Sequence, residues 1–290
     1  MVSINLDDAI SEALKGLKEK GLQTPHCLFL LGTGQGSVAS SFEILHTLPL
    51  HELAGVPAVW HEVELIVANA ITPQGTCNLW LLEDAPGSLQ FGTGGGPERP
   101  AWERAFPVWL AAAAGARTMV HTSAGTSLRE HIPVGSLASV SDHINLSGYT
   151  PLLGLGPTSL GPLFPDQTRL HHPGLHLRAS DHMRAIGQSL GSGVGACLQG
   201  PSSITPAEVK WLAGTPADIA IQGCAGPWIS AAHAGLALVA LTCITDTGQS
   251  PMRMQDLLKA AESSAPILED LLSLLVPDLH QVALEMEFEL

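Results

Sequence analysis

Gly32-Thr33-Gly34-Gln35-Gly36 is the first stretch able to do chemistry. It follows the continuous apolar run Cys27-Leu28-Phe29-Leu30-Leu31, which reads as a strand buried on both faces. A glycine turn after such a strand suits an anion, held by backbone N–H groups and the Thr33 hydroxyl. The pattern is GxGxG, not the GxGxxG of a dinucleotide fold, and no GxxxxGK[ST] occurs. Gly187-Gln188-Ser189-Leu190-Gly191 matches GxSxG, but a nucleophile elbow needs a strand running into the serine, and this serine ends a helical stretch. His171, His172 and His176 fall in an irregular segment without a carboxylate at metal-ligand spacing, so loop hydrogen bonding is the expectation and no metal is assigned. Asp142-His143 has the residue types of a catalytic pair.

Elements that could position these residues alternate along the chain. Residues 6–20 carry Ile10, Leu14 and Leu17 on one helical stripe and stop at Gly21. Strands are expected at 27–31, 63–70, 76–82, 118–121, 137–140, 195–198, 218–222 and 236–245. Helices are expected at 102–114, 178–190, 252–261 and 267–275. A further helix starts at Thr205-Pro206, with threonine as N-cap and proline in the first turn. Thr122-Ser123-Ala124-Gly125 reads as a turn, residues 92–97 as a glycine loop, and residues 148–173 as a long irregular loop. Strands alternating with helices imply an α/β fold: one domain over residues 1–290, with a mixed, mostly parallel β-sheet flanked by helices.

Composition bounds the function. The chain has 290 residues, 45% hydrophobic and 14% charged, which supplies a sizeable core. A net charge of -14 argues against nucleic acid and anionic membranes as partners. No apolar run reaches the roughly 18–20 residues that span a bilayer. The N-terminus lacks a basic start followed by an apolar stretch. Cys27, Cys77, Cys197, Cys224 and Cys243 are odd in number, far apart and without a CxxC, so buried free thiols in a reducing cytoplasm are expected.

Ser141-Asp142-His143-Ile144-Asn145-Leu146-Ser147-Gly148, with Val120-His121-Thr122-Ser123-Ala124-Gly125, Gly200-Pro201-Ser202-Ser203-Ile204-Thr205 and the glycine turn, resembles the trimeric purine nucleoside phosphorylases in order and spacing. The similarity covers roughly residues 27–247. It implies a phosphorylase fold and phosphorolysis of a purine or 5'-modified nucleoside, with phosphate as co-substrate, no cofactor, and a homotrimer. By resemblance, Thr33 and His61 contact phosphate, and Asp142-His143 takes a structural hydrogen-bonding role beside the pocket. Ser123 and Ala124 match a turn whose backbone approaches phosphate and base, and Asp246 reads the purine at N7 and its 6-substituent. Asp246 and His61 are the expected catalytic residues. Phe164 matches an aromatic that closes the sugar side of a neighbouring subunit's pocket; the alternative is burial in its own subunit.

Other positions depart from the family pattern. Leu81-Leu82-Glu83-Asp84-Ala85 stands where the family has Gly-Arg-x-His, putting acid in place of base. Ile204 replaces a glutamate that grips the purine, Gln222-Gly223 a Met-Ser pair, and a residue near Ala260 the histidine that binds the sugar 5'-hydroxyl. Arg99 or Arg104 could rebuild the phosphate site. Two functions stay open: a nucleoside phosphorylase-like enzyme, or a repurposed relative that keeps the fold and takes another small molecule.

Overall fold

The computed structural model describes residues 5–32, 35–84, 100–200, 202–249 and 254–288. Thr33, Gly34 and Arg99 lie outside the described residues, as does the expected glycine loop at 92–97.

Helix α1 (Leu6–Glu19) begins where the Asn5 side chain accepts from the Asp8 N–H at 2.8 Å, with Asp7 and Asp8 complementing the helix dipole. It buries Leu6, Ala9, Ile10, Ala13 and Leu17, and the chain leaves through Gly21 at φ 67°. The strands are β1 (Cys27–Leu31), β2 (Glu43–Pro49), β3 (Glu64–Thr72), β4 (Gly75–Glu83), β5 (Thr118–Ser127), β6 (Leu137–Asn145), β7 (Leu190–Leu198), β8 (Ile219–Gln222) and β9 (Ala237–Asp246). The remaining helices are α2 (Phe106–Ala114), α3 (Pro173–Ala185), α4 (Pro206–Ala213), α5 (Ala225–His233) and α6 (Met254–Phe288).

The nine strands form one sheet in the order β2-β3-β4-β1-β5-β8-β7-β6-β9, and β9 pairs back onto β5. Five strands therefore close on themselves, and β2, β3, β4 and β1 extend from β5 as an open wing. Pairing is parallel for β1–β4, β1–β5, β5–β9, β6–β7 and β7–β8, and antiparallel for the other four. Helices cover both faces. α1, α2 and α5 share a core with Leu28, Leu30, Trp109 and Trp228, while α3 and α6 pack on Phe29, Leu79, Val120 and Leu241. This is the expected mixed α/β architecture.

Four local expectations change. Thr122 to Gly125 is not a turn but the interior of β5. Gly125 sits where an added methyl would lie 2.6 Å from Thr242 Cγ2 and 2.9 Å from Ile219 Cγ2, so the glycine lets β8 and β9 close on β5. The two expected C-terminal helices are one, α6, running through Pro266 and Pro277. Its buried Leu268, Leu271, Leu272, Leu275 and Leu279 bind it to the sheet along its length. Helix α3 ends at Ala185, so Ser189 opens β7 from a turn; with the helix before the strand, the elbow order is reversed. β2 and α5 are additional elements. The Thr205 cap is present as a full capping box with Glu208, and residues 149–172 stay irregular apart from isolated bridges at Thr158–Gly161 and His171–Leu238.

Candidate active site

β1, β4, β5 and β9 run in one direction, so Leu31, Glu83 and Asp246 end at the same edge of the sheet. Ligands of open α/β sheets bind at the carboxyl ends of the strands. One residue marks the opening here. β5 is buried along its length except at Ala124, which is exposed between buried Ser123 and Gly125. This small residue, between β8 and β9, is where the buried strand opens to solvent.

The wall groups follow from register. Ser123 Oγ lies 3.1 Å from Thr242 Oγ1 on β9. The last β5–β8 pair is Gly125 opposite Ile221, so Ala124 and Gln222 sit one step beyond it. Gln222 Nε2 donates to Ser202 O at 2.5 Å, and Gly223 turns the chain at φ 76°. The Asp246 carboxylate accepts from Thr126 Oγ1 at 3.1 Å and from the Gly248 N–H at 2.7 Å, with Thr245 Oγ1 3.1 Å away. A methyl on Gly248 would lie 2.4 Å from Val209 Cγ2, 3.2 Å from Ile204 Cγ2 and 3.3 Å from Thr126 Cγ2. Ile204 therefore stands in an apolar wall beside Asp246. The fold brings Ser123, Ala124, Ile204, Gln222, Gly223 and Asp246 to neighbouring positions around β5.

Gly32, Gln35 and Gly36 lie against β5, β9 and β4 in turn. The Gly32 N–H donates to Thr122 Oγ1 at 2.9 Å, and a methyl on Gly32 would press on Thr122 O at 3.0 Å. Gln35 is buried, its Nε2 donating to Cys243 Sγ at 3.2 Å. A methyl on Gly36 would meet Glu83 Oε1 at 1.9 Å, so the Glu83 carboxylate rests directly against this glycine. The sequence marks Glu83 as an acid out of place; its seat on Gly36 depends on the β1–β4 register and is not written in any motif.

Two expected site residues are not tied to these positions by any contact among the described residues. His61 is exposed in the segment joining β2 to β3, where its Nε2–H donates to Val56 O at 3.0 Å. That leaves Nδ1 a proton to offer an anion only in the imidazolium form. Phe164 is 88% exposed, which excludes burial in its own subunit. Arg104 lies in the short turn before α2, its charge acting on Tyr149.

The histidines do separate work. His172 caps α3, accepting from the Leu175 N–H, and His176 bridges Ser139 and Ser192. His171 Nε2 lies 3.1 Å from His143 Nδ1, while the Asp142 carboxylate accepts from the His143 N–H, the structural role expected for that pair. Trp228 packs edge-on against His121, His143 and His171, and its indole N–H donates to His121 Nδ1 at 2.9 Å. Burial holds all three rings neutral. His121 is pushed down to about 4, and His171 to about 3 with the neighbouring His143 adding to burial; His143 is lowered by burial against the opposing pull of Asp142.

These depressed values predict acid sensitivity. Between pH 6.5 and about 4 the unfolded chain binds protons that buried His121 refuses, so stability falls as pH falls through that window. His121 alone removes about 3 kcal/mol across it. Urea midpoints should drop steadily from pH 7 to pH 4, and a flat profile would contradict the burial of these rings.

At the opposite, amino end of β1 and β4, ligand atoms of His26, Cys77 and His280 lie within 4.8 Å of one another. Their hydrogen bonds argue against a metal. His26 Nδ1 accepts from the Asn78 N–H, so its Nε2 keeps the proton. The Thr72 hydroxyl donates to Gly75 O and so accepts from His280 Nδ1–H, leaving the opposite tautomer on His280. His26 therefore presents an N–H, not a lone pair, on its remaining nitrogen. All five cysteines are free and buried, as expected. Among the described residues no helix is long and apolar enough to cross a membrane.

The family model described as the phosphorylase superfamily matches residues 93–276. Purine nucleoside phosphorylase 1 of Geobacillus stearothermophilus is 29% identical over 239 residues, covering 82% of this chain and 84% of that protein. The Bacillus subtilis protein of the same name is 26% identical over 83% of this chain and 86% of its own length. The crystal structure of a Schistosoma purine nucleoside phosphorylase in complex with hypoxanthine superposes with a TM-score of 0.81 at 18% identity, covering 95% of this chain and 99% of that one. With the family model spanning more than half of its residues, this chain belongs to the phosphorylase superfamily, as a diverged relative of the purine nucleoside phosphorylases.

Proposed function

We propose that this protein is a nucleoside phosphorylase-like enzyme, a pentosyltransferase that cleaves the N-glycosidic bond of a purine or 5'-modified nucleoside with phosphate as co-substrate. The observation that carries the reading is the exposed Ala124 on otherwise buried β5, with Gln222 one step beyond the last β5–β8 pair and Asp246 opposite Thr126, two residues along β5. A flat base fits over so small a floor. Asp246 supplies an acceptor for the purine's 6-amino group, and Ile204 supplies apolar contact. The ribosyl transition state is cationic, so the acceptor anion belongs on the glycine-turn side, where Thr33 and His61 are the proposed phosphate contacts with Ser123 and Ala124. Arg99 or Arg104 supplies the cation. The relatives named purine nucleoside phosphorylase support the same reaction class.

The proposed assembly is a homotrimer in which exposed Phe164 closes the sugar side of a neighbour's cleft. A cytoplasmic setting suits five buried free thiols. Neither nucleic acid nor membrane is a proposed partner. Incubating the protein with phosphate and each of adenosine, inosine, guanosine and a 5'-modified adenosine should release free base, measured by chromatography, from at least one of them. Release from none of the four would remove the reading.

A further inference from the structure

We propose that Thr126 sets the purine preference of the site, because its hydroxyl fixes the Asp246 carboxylate as an acceptor for a single N–H of the base. The inference rests on the reading of Asp246 as the residue that meets the base, and it names what holds that residue in place. Register brings the two together. Gly125 pairs with Ile244 but Thr126 pairs with Asp246, so β9 carries one extra residue, Thr245, across that step. A bulge of this kind re-aims the side chains beside it. Without it Thr126 would stand opposite Thr245, and Asp246 opposite Ser127.

The donors around the carboxylate are not equivalent. Its Oδ1 accepts from the Gly248 N–H at 2.7 Å. Its Oδ2 lies 3.1 Å from the Thr126 hydroxyl and 3.1 Å from the Thr245 hydroxyl. The Thr245 hydroxyl has one proton and a second acceptor, Gly125 O at 3.3 Å, so its donation is divided. Among the described residues, the Thr126 hydroxyl has no acceptor besides Asp246. A carboxylate offers about four lone-pair sites, two on each oxygen. With the hydroxyls on Oδ2 and an amide on Oδ1, one site stays open, and it is on Oδ1. Thr126 and Thr245 are buried, whereas Asp246 is half-buried, so a ligand reaches the acceptor and not its supports.

One open site on an oriented, negative oxygen suits one N–H donor. The 6-amino group of an adenine-type base supplies it, whereas a 6-oxo group sets oxygen against oxygen. Loss of the Thr126 hydroxyl frees a lone pair on Oδ2 and releases the carboxylate plane to turn about its broad terminal torsion. Thr126 therefore acts through Asp246, as a positioning residue. Its methyl has a separate role. Cγ2 stands 3.3 Å from the place of a methyl on Gly248, in the apolar wall with Ile204 and Val209. Hydroxyl and methyl can thus be tested apart.

The full-length protein is assayed with adenosine and with inosine in the presence of phosphate, and the binding of adenine and of hypoxanthine is measured by calorimetry. Thr126→Val keeps the branched shape that a strand favours and loses the hydroxyl. It should lower the ratio of kcat/KM for adenosine over inosine, and of affinity for adenine over hypoxanthine, by about tenfold, the share of one hydrogen bond to a charged group. Thr126→Ala also lacks the hydroxyl, sets no methyl beside the carboxylate, and should lower both ratios in the same way. Thr126→Ser keeps the hydroxyl and should restore the preference. A structural role alone would weaken both bases together. Equal losses for the two bases in the valine and alanine variants, or a serine variant that loses the preference as fully as they do, would overturn this inference. The reading of Asp246 then stands if Asp246→Asn still shifts the preference toward inosine and hypoxanthine. A parent protein without preference for the 6-amino base would overturn both.

Discussion

Trp228→Ala should destabilise the protein by about 4 kcal/mol, lowering its melting temperature by about 10 °C. The side chain is fully buried and its ring centroid lies 5.0 Å from His171, 5.3 Å from His143 and 6.0 Å from His121. Truncation leaves a cavity among three rings and strips His121 Nδ1 of its donor. Trp228→Phe separates the two terms, because it keeps most of the volume and loses only the N–H; its expected cost is about 1–2 kcal/mol. A loss below about 1 kcal/mol for the alanine variant, read from urea unfolding, would mean that this cluster does not hold α5 against the closed part of the sheet.

The second large effect concerns base selection. Asp246 presents a carboxylate, which accepts from a 6-amino purine and repels the carbonyl oxygen of a 6-oxo purine. Asp246→Asn should reverse this, shifting the ratio of kcat/KM for inosine over adenosine by about 100-fold toward inosine. The fold should tolerate the change. An asparagine oxygen still accepts from the Gly248 N–H, and the Thr126 and Thr245 hydroxyls can rotate to accept from its amide. Equal rates on both nucleosides in the parent would show that Asp246 only caps its own turn.

The elements that could be read from sequence are those whose signal is local. Cys27-Leu28-Phe29-Leu30-Leu31 is apolar throughout because β1 lies between β4 and β5 with both faces covered. Asn5 with Asp8, and Thr205 with Glu208, place helix starts by caps a few residues long. The errors came where tertiary contacts override local preference. Small residues and a glycine made Thr122 to Gly125 look like a turn, yet that smallness is what allows three strands to crowd β5. α5 is not among the expected elements; it carries Gly226-Pro227 in its first turn, the part of a helix that tolerates proline. The two expected C-terminal helices are one because the leucine face of α6 holds it to the sheet through Pro266 and Pro277.

The site divides along the same line. Ser123, Ala124, Gln222, Gly223 and Asp246 are proposed through resemblance because the chain retains the motif spacing, and the sheet register sets them near one another. Glu83 was visible only as an acid in place of a base. That it lies on Gly36 depends on two strands meeting across about fifty residues of sequence, and no local pattern encodes such a contact. Phe164 shows the reverse case. The sequence left own-subunit burial open, and its exposure removes that alternative.

The central claim is that a purine is held over Ala124 between Asp246 and Gln222. A crystal structure of the protein grown with adenosine tests it most directly. The account predicts the adenine ring over Ala124, its 6-amino group donating to the Asp246 carboxylate and its face against Ile204. Adenosine bound elsewhere on the chain, or its 6-amino group turned away from Asp246, would contradict it.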